Sequence, residues 1–128
     1  MMSFPLVKIK MSYRLTDQCK REFKKLSQKF RTLKSDLERF CRVTLAHEAL
    51  DDFPSNNKNY TILKTSGTTT IFKARMACTS LRGNKFRIVY ARHEASIEII
   101  VIEIYTKNQK DREDQKRISD YLTTCIDS

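Results

Sequence analysis

At 128 residues the chain has room for one domain, 1–128, around one modest hydrophobic core. A composition of 40% hydrophobic and 31% charged residues suits a soluble globular protein and argues against a disordered tail. The net charge of +10 points to polyanions such as RNA or DNA, or to an acidic protein, and no apolar run approaches the roughly 20 residues of a membrane span.

The charge is uneven. Residues 1–48 carry 12 Lys and Arg against 5 Asp and Glu, residues 49–92 carry 8 against 2, and residues 93–128 carry 5 against 8. The opening Met-Met-Ser-Phe-Pro-Leu-Val lacks the basic and long apolar regions of a secretory signal, so a cytoplasmic location is expected.

Residues 7–15 alternate apolar odd with polar even positions, the period of a half-buried strand. Thr16 and Asp17 then offer N-cap oxygens to a helix. Phe23, Leu26, Phe30, Leu33, Leu37, Phe40 and Leu45 recur at helical spacing, which predicts a core-facing stripe. One helix over 17–46 would run about 45 Å, too long for a domain of this size. A helical hairpin is therefore expected, turning within 29–36, with Thr32, Ser35 or Asp36 capping its second arm.

Residues 51–59 read as a loop, 60–63 as a short strand or extended connection, and Ser66-Gly67 as a turn. Three strands are predicted at 70–78, 85–92 and 97–105, joined by links short enough for antiparallel hairpins. In the last, Ile97, Ile99 and Val101 should share one face and Ile100, Ile102 and Ile104 the other, as in a central strand covered on both sides. Asp111 should open a closing helix containing Ile118, Tyr121, Leu122 and Cys125. The expected fold class is α+β: an N-terminal strand, a helical hairpin, an antiparallel sheet of three to four strands and a C-terminal helix.

Common catalytic templates are missing. With Gly67 and Gly83 as the only glycines there is no phosphate-binding loop, and neither Gly-x-Ser-x-Gly nor His-Glu-x-x-His occurs. Cys19, Cys41, Cys78 and Cys125 are scattered, without zinc spacing, and read as reduced residues, mostly buried. His47 and His93 read as surface or capping residues. The acidic pairs Asp51-Asp52 and Glu113-Asp114 read as solvated groups or partners of helix dipoles. No metal site and no cofactor are expected.

What remains is a basic array on the sheet. Lys73 and Arg75 lie two apart on one strand and so share a face; Lys85 and Arg87 repeat this on the next. Arg82 sits in the turn between them, and Tyr105 and Lys107 end the following strand. RNA cleavage through the 2′-hydroxyl needs a base, cations to steady the phosphorane and an acid for the leaving 5′ oxygen. Such an array suits that chemistry without histidine or metal. It equally suits plain phosphate binding or a solvated sheet face.

The stretches Phe-Lys-Ala-Arg (72–75), Phe-Arg-Ile-Val-Tyr (86–90) and Ile-Tyr-Thr-Lys (104–107) resemble motifs of the RelE/ParE toxin superfamily, especially its RelE- and HigB-like mRNA interferases. Residues 13–26, "YRLTDQCKREFKKL", resemble the first strand and helix of such toxins, and the resemblance spans roughly 11–122. It implies a metal-independent endoribonuclease toxin that cleaves mRNA, often on the ribosome, and is neutralised by a cognate antitoxin, without cofactor or membrane partner. Carried over residue by residue, it implies catalytic roles for Lys73, Arg75, Arg87, Lys107 and Tyr105, and RNA contacts for Arg82, Lys85 and Lys110. The chain departs from the pattern in its longer 47–70 region and in lacking a securely matched C-terminal tyrosine, leaving base and acid unassigned. A ParE-like gyrase-inhibiting toxin and a non-catalytic nucleic-acid-binding module remain as alternatives.

Overall fold

The computed structural model describes residues 12–49, 60–94, 96 and 98–126. The elements run β1 (Ser12–Leu15), α1 (Asp17–Lys29), α2 (Leu33–Ala49), β2 (Tyr60–Ser66), β3 (Thr69–Cys78), β4 (Leu81–His93), β5 (Glu98–Thr106) and α3 (Gln115–Ile126). The α+β class and element order match the sequence reading, but the sheet is larger and mixed. Its five strands lie in the order β1-β5-β4-β3-β2, with β1 parallel to β5 and the other pairs antiparallel. The expected 7–11 portion of the first strand and the 51–59 loop lie outside the described residues, as do Ile97 and the side chain of His47.

The helical hairpin turns where chain length demands it. Thr16 caps α1 by accepting the Cys19 amide at 3.4 Å, and Phe30 closes it with its own amide on the Leu26 carbonyl. Cys19 is buried on the inner face, with Phe23, Leu26 and Phe30 half-buried beside it, while Lys20, Arg21, Lys24, Lys25 and Lys29 face outward. Leu33, Leu37, Cys41 and Leu45 of α2 meet Phe72, Met76, Phe86, Ile88 and Tyr90 of the sheet. Phe30 lies edge-on to Phe86 with centroids 5.1 Å apart, a favoured aromatic geometry. At the β2–β3 turn Gly67 adopts φ +57, a conformation that L side chains resist.

A buried carboxylate fixes the hairpin to the sheet. Asp36, 2% exposed, accepts the Thr32 hydroxyl at 2.8 Å and both the amide and hydroxyl of Thr79 at 2.9 Å. Burial pushes its pKa up, but these hydrogen bonds stabilise the anion more and hold it below the ordinary carboxylate value. Of the three cap candidates, Thr32 immediately precedes α2 and also binds Ser80, while Asp36 serves the β3–β4 connection.

The sheet's second face carries Ile71, Val89, Ala91, Ile100 and Ile102, covered by Ile118 and Leu122 of α3. Strict alternation along β5 fails here. Val89 pairs with Glu103 but Tyr90 with Val101, so Ile102 is an extra residue, a β-bulge. Ile104 therefore joins Ile99 and Val101 on the α1–α2 face, correcting the expectation that it would lie with Ile100 and Ile102. The bulge also turns Glu103 and Tyr105 to the other face. Arg117 of α3 satisfies it: one guanidinium nitrogen donates to the Ile102 carbonyl at 2.6 Å, another to Glu22 of α1 at 2.8 and 2.9 Å. Helix α3 opens at Gln115 rather than Asp111, because Asp114 supplies the cap, accepting the Lys116 and Arg117 amides.

Candidate functional site: a basic cleft on the sheet

One part of the second sheet face brings charged and polar side chains together across three strands. There the strand register sets Arg75 opposite Arg87 and Arg87 opposite Tyr105, a row across three strands. The next row sets Thr61 beside Lys73, with Val89 and Glu103 beyond. Like charges directly opposite on neighbouring strands are unfavourable, with side chains rooted about 5 Å apart. Arg87 also donates to its neighbour's carbonyl, that of Phe86, at 3.3 Å.

Lys73, Arg75, Arg87, Tyr105 and Lys107 line one cleft of about 270 Å³, together with Thr61, Ala74 and Asp111. All five predicted catalytic residues thus converge. Of the three predicted RNA contacts, Lys110 is not among the residues that line the cleft. Lys110 is drawn aside, ion-paired with the buried Glu103 and placed 5.1 Å above the Tyr105 ring. Arg82 and Lys85 belong to β4, but their side chains lie outside the described residues.

Burial, then the nearby Glu113 and Glu103 carboxylates, push the Tyr105 pKa up to about 12, with Arg87 pulling weakly the other way. At neutral pH Tyr105 is a phenol, a donor and not a base. Lys73 gives Glu113 a hydrogen bond of 2.9 Å, and the Glu113 side chain is 9% exposed. Burial alone would raise the Glu113 pKa; the Lys73 contact outweighs it and holds the group ionised. Glu113 is thus not the solvated group its sequence context suggested. It stands behind Lys73 and orients the ammonium.

Sequence reasoning missed Thr61, Asp111 and Glu113. Thr61 could be found only through the β2–β3 register, and Glu113 only by asking what balances Lys73. Asp111 carries no local signal, since its place depends on where the 107–114 connection crosses the sheet. His93 also departs from expectation. It ends β4, half-buried, with Nδ1 2.9 Å from the Thr69 hydroxyl and Nε2 2.6 Å from the Tyr121 hydroxyl, and so ties α3 to the far end of the sheet. Burial, then Cys125, raise the Tyr121 pKa. All four cysteines are free thiols, with Cys19, Cys41 and Cys78 buried. Among the described residues no cluster of His, Cys, Asp and Glu could hold a metal ion, and no helix is long and apolar enough to cross a membrane.

No protein-family model matches the chain, and no curated protein matches it. Among solved structures, it is similar to the archaeal RelE–RelB complex from Pyrococcus horikoshii OT3, at 13% identity and a TM-score of 0.45, over 80% of this chain and 100% of that one. A likeness at that score lends the cleft no function. Its chemistry has to come from the residues that line it.

Proposed function

We propose that this protein is the toxin of a toxin–antitoxin pair, a RelE/HigB-like endoribonuclease that cleaves mRNA during translation by attack of the 2′-hydroxyl on the adjacent phosphate. The observation that carries the reading is the Arg75–Arg87–Tyr105 row with Lys73 and Lys107 beside it. Guanidiniums match two oxygens of a phosphate and stay charged, and paired across neighbouring strands they can stabilise the charge that develops on a phosphorane. Lys73, held by Glu113, and Lys107 at the rim would place the backbone on either side. The sequence motifs around residues 72–75, 86–90 and 104–107 support the same reading. An antitoxin would cover this face with an acidic or amphipathic segment, and both partners would work in the cytoplasm.

Expression from a tightly regulated promoter tests the proposal. Growth should stop, with cleavage sites mapping inside translated messages, and Arg87→Ala should abolish both effects. Arrest with intact mRNA and damaged DNA would instead indicate a gyrase poison. The exposed row Lys20, Arg21, Lys24, Lys25 and Lys29 on α1 favours a second reading, a non-catalytic nucleic-acid-binding module. Salt-sensitive RNA binding without growth arrest, lost when α1 and not the cleft is neutralised, would support it.

A further inference from the structure

The cleft's cations account for phosphate binding but not for proton transfer. We propose that Asp111 is the general base of this site and Tyr105 its general acid, an assignment that rests on the nuclease reading above. Transesterification needs a group to take the 2′-hydroxyl proton, and the lining residues narrow the choice. Arg75 and Arg87 cannot give up a proton in a protein. Lys73 is already engaged, donating to the Glu113 carboxylate at 2.9 Å. Lys107 is an exposed cation, and Tyr105 is a phenol at neutral pH. Thr61 is a hydroxyl. Among the lining residues Asp111 alone brings a carboxylate.

The other carboxylates nearby are already committed. Glu113 has one oxygen on Lys73 and the other accepting from the Gln115 side-chain amide at 2.7 Å. Glu103, 2% exposed, has one oxygen on the Asp114 amide at 2.9 Å and the other on Lys110. Asp111 is exposed at the rim, and among the described residues no hydrogen bond or ion pair engages it. The short connection that carries Lys107 and Asp111 thus gives the cleft both a cation and a proton acceptor.

The step balances without water or metal. The 2′-oxygen bonds to phosphorus as its proton passes to the Asp111 carboxylate. The bond from phosphorus to the 5′ oxygen breaks as the Tyr105 phenol proton passes to that oxygen. The products are a 2′,3′-cyclic phosphate and a free 5′-hydroxyl, with the two side chains left in exchanged protonation states.

Leaving-group replacement separates the two roles. Single-turnover cleavage of a short mRNA, with and without programmed ribosomes, is compared with that of the same RNA carrying sulfur in place of the scissile 5′ oxygen. Sulfur departs without a proton. Tyr105→Phe should lose at least about 100-fold on the oxygen substrate, the usual scale of one proton-transfer catalyst, and recover on the sulfur substrate. Asp111→Asn should lose a similar factor on both, while binding a 2′-deoxy analogue at least as tightly as the wild type. Asp111→Ser serves as a second removal of the carboxylate should the amide perturb folding. Cleavage by both Asp111 variants within a few-fold of wild type would overturn the assignment and leave the nuclease reading standing. Wild-type protein that cleaves neither substrate, with or without ribosomes, would overturn both.

Discussion

Replacing Arg117 with methionine keeps much of the side chain's volume but removes its charge and its donors. The side chain is 9% exposed and serves three acceptors on two other elements: both Glu22 oxygens and the Ile102 carbonyl. The carbonyl belongs to the bulge residue, which is left out of the β4–β5 pairing. A buried acceptor stripped of its partner costs about 1–3 kcal/mol. Glu22 is 40% exposed, so its orphaned charge reaches water and adds less than the 3–5 kcal/mol typical of a fully buried broken pair. The combined expectation is a loss of about 2–4 kcal/mol, a large share of the stability of a domain this size. Urea unfolding followed by far-UV circular dichroism measures it, with an unchanged m-value showing that the same fold is lost. Adding Glu22→Gln to Arg117→Met should cost little more than Arg117→Met alone. A loss below about 1 kcal/mol, or full additivity of the two changes, would refute the claim that Arg117 holds the bulge.

Three further outcomes follow from contacts described above. Asp36→Asn should destabilise the protein by about 1.5–3 kcal/mol at pH 7, because an amide cannot accept on both sides as the carboxylate does. The Asp36 pKa is depressed on folding, so its contribution is full above the ordinary value of 3.8 and lost as pH falls through the folded value. Denaturation midpoints measured from pH 6 downward should accordingly fall less steeply in the variant. Gly67→Ala should cost about 1 kcal/mol, since φ is +57 while an added Cβ meets nothing within 4 Å; a thermal shift of a few degrees would report it. Glu113→Gln should tighten binding of a 2′-deoxy RNA several-fold at low salt by removing a negative charge from the cleft, yet slow cleavage by loosening Lys73; filter binding and single-turnover assays read the two effects.

The helical hairpin was legible because periodicity and length act locally: the stripe from Phe23 to Leu45 needed a turn near residue 30, and the chain turns there. The convergence of Lys73, Arg75, Arg87, Tyr105 and Lys107 was legible too, since two-residue spacing on paired strands fixes a shared face. The parallel docking of β1 on β5 was not, because it is a long-range pairing of four residues with no turn to signal it. The bulge was hidden as well. Its residues are isoleucines on either side of Glu103, and either phase buries them equally well. Only the Val89–Glu103 pairing and the Arg117 contact show which phase is adopted. The place of Asp111 and Glu113 at the cleft was not legible because acidic residues before a helix ordinarily read as caps, and here Asp114 takes that part.

The bulge at Ile102 also separates two jobs within one strand. Before it, β5 follows the frame set by Ile99 and Val101 packing beneath the hairpin; after it, the frame is set by the row that ends in Tyr105. Substitutions in the first half can retune the core without turning a cleft side chain. Deleting one residue at the bulge would do the reverse, swinging Tyr105 toward α1 and bringing Ile104 into the basic row. The same composition would remain on the strand, with its chemistry facing the wrong side.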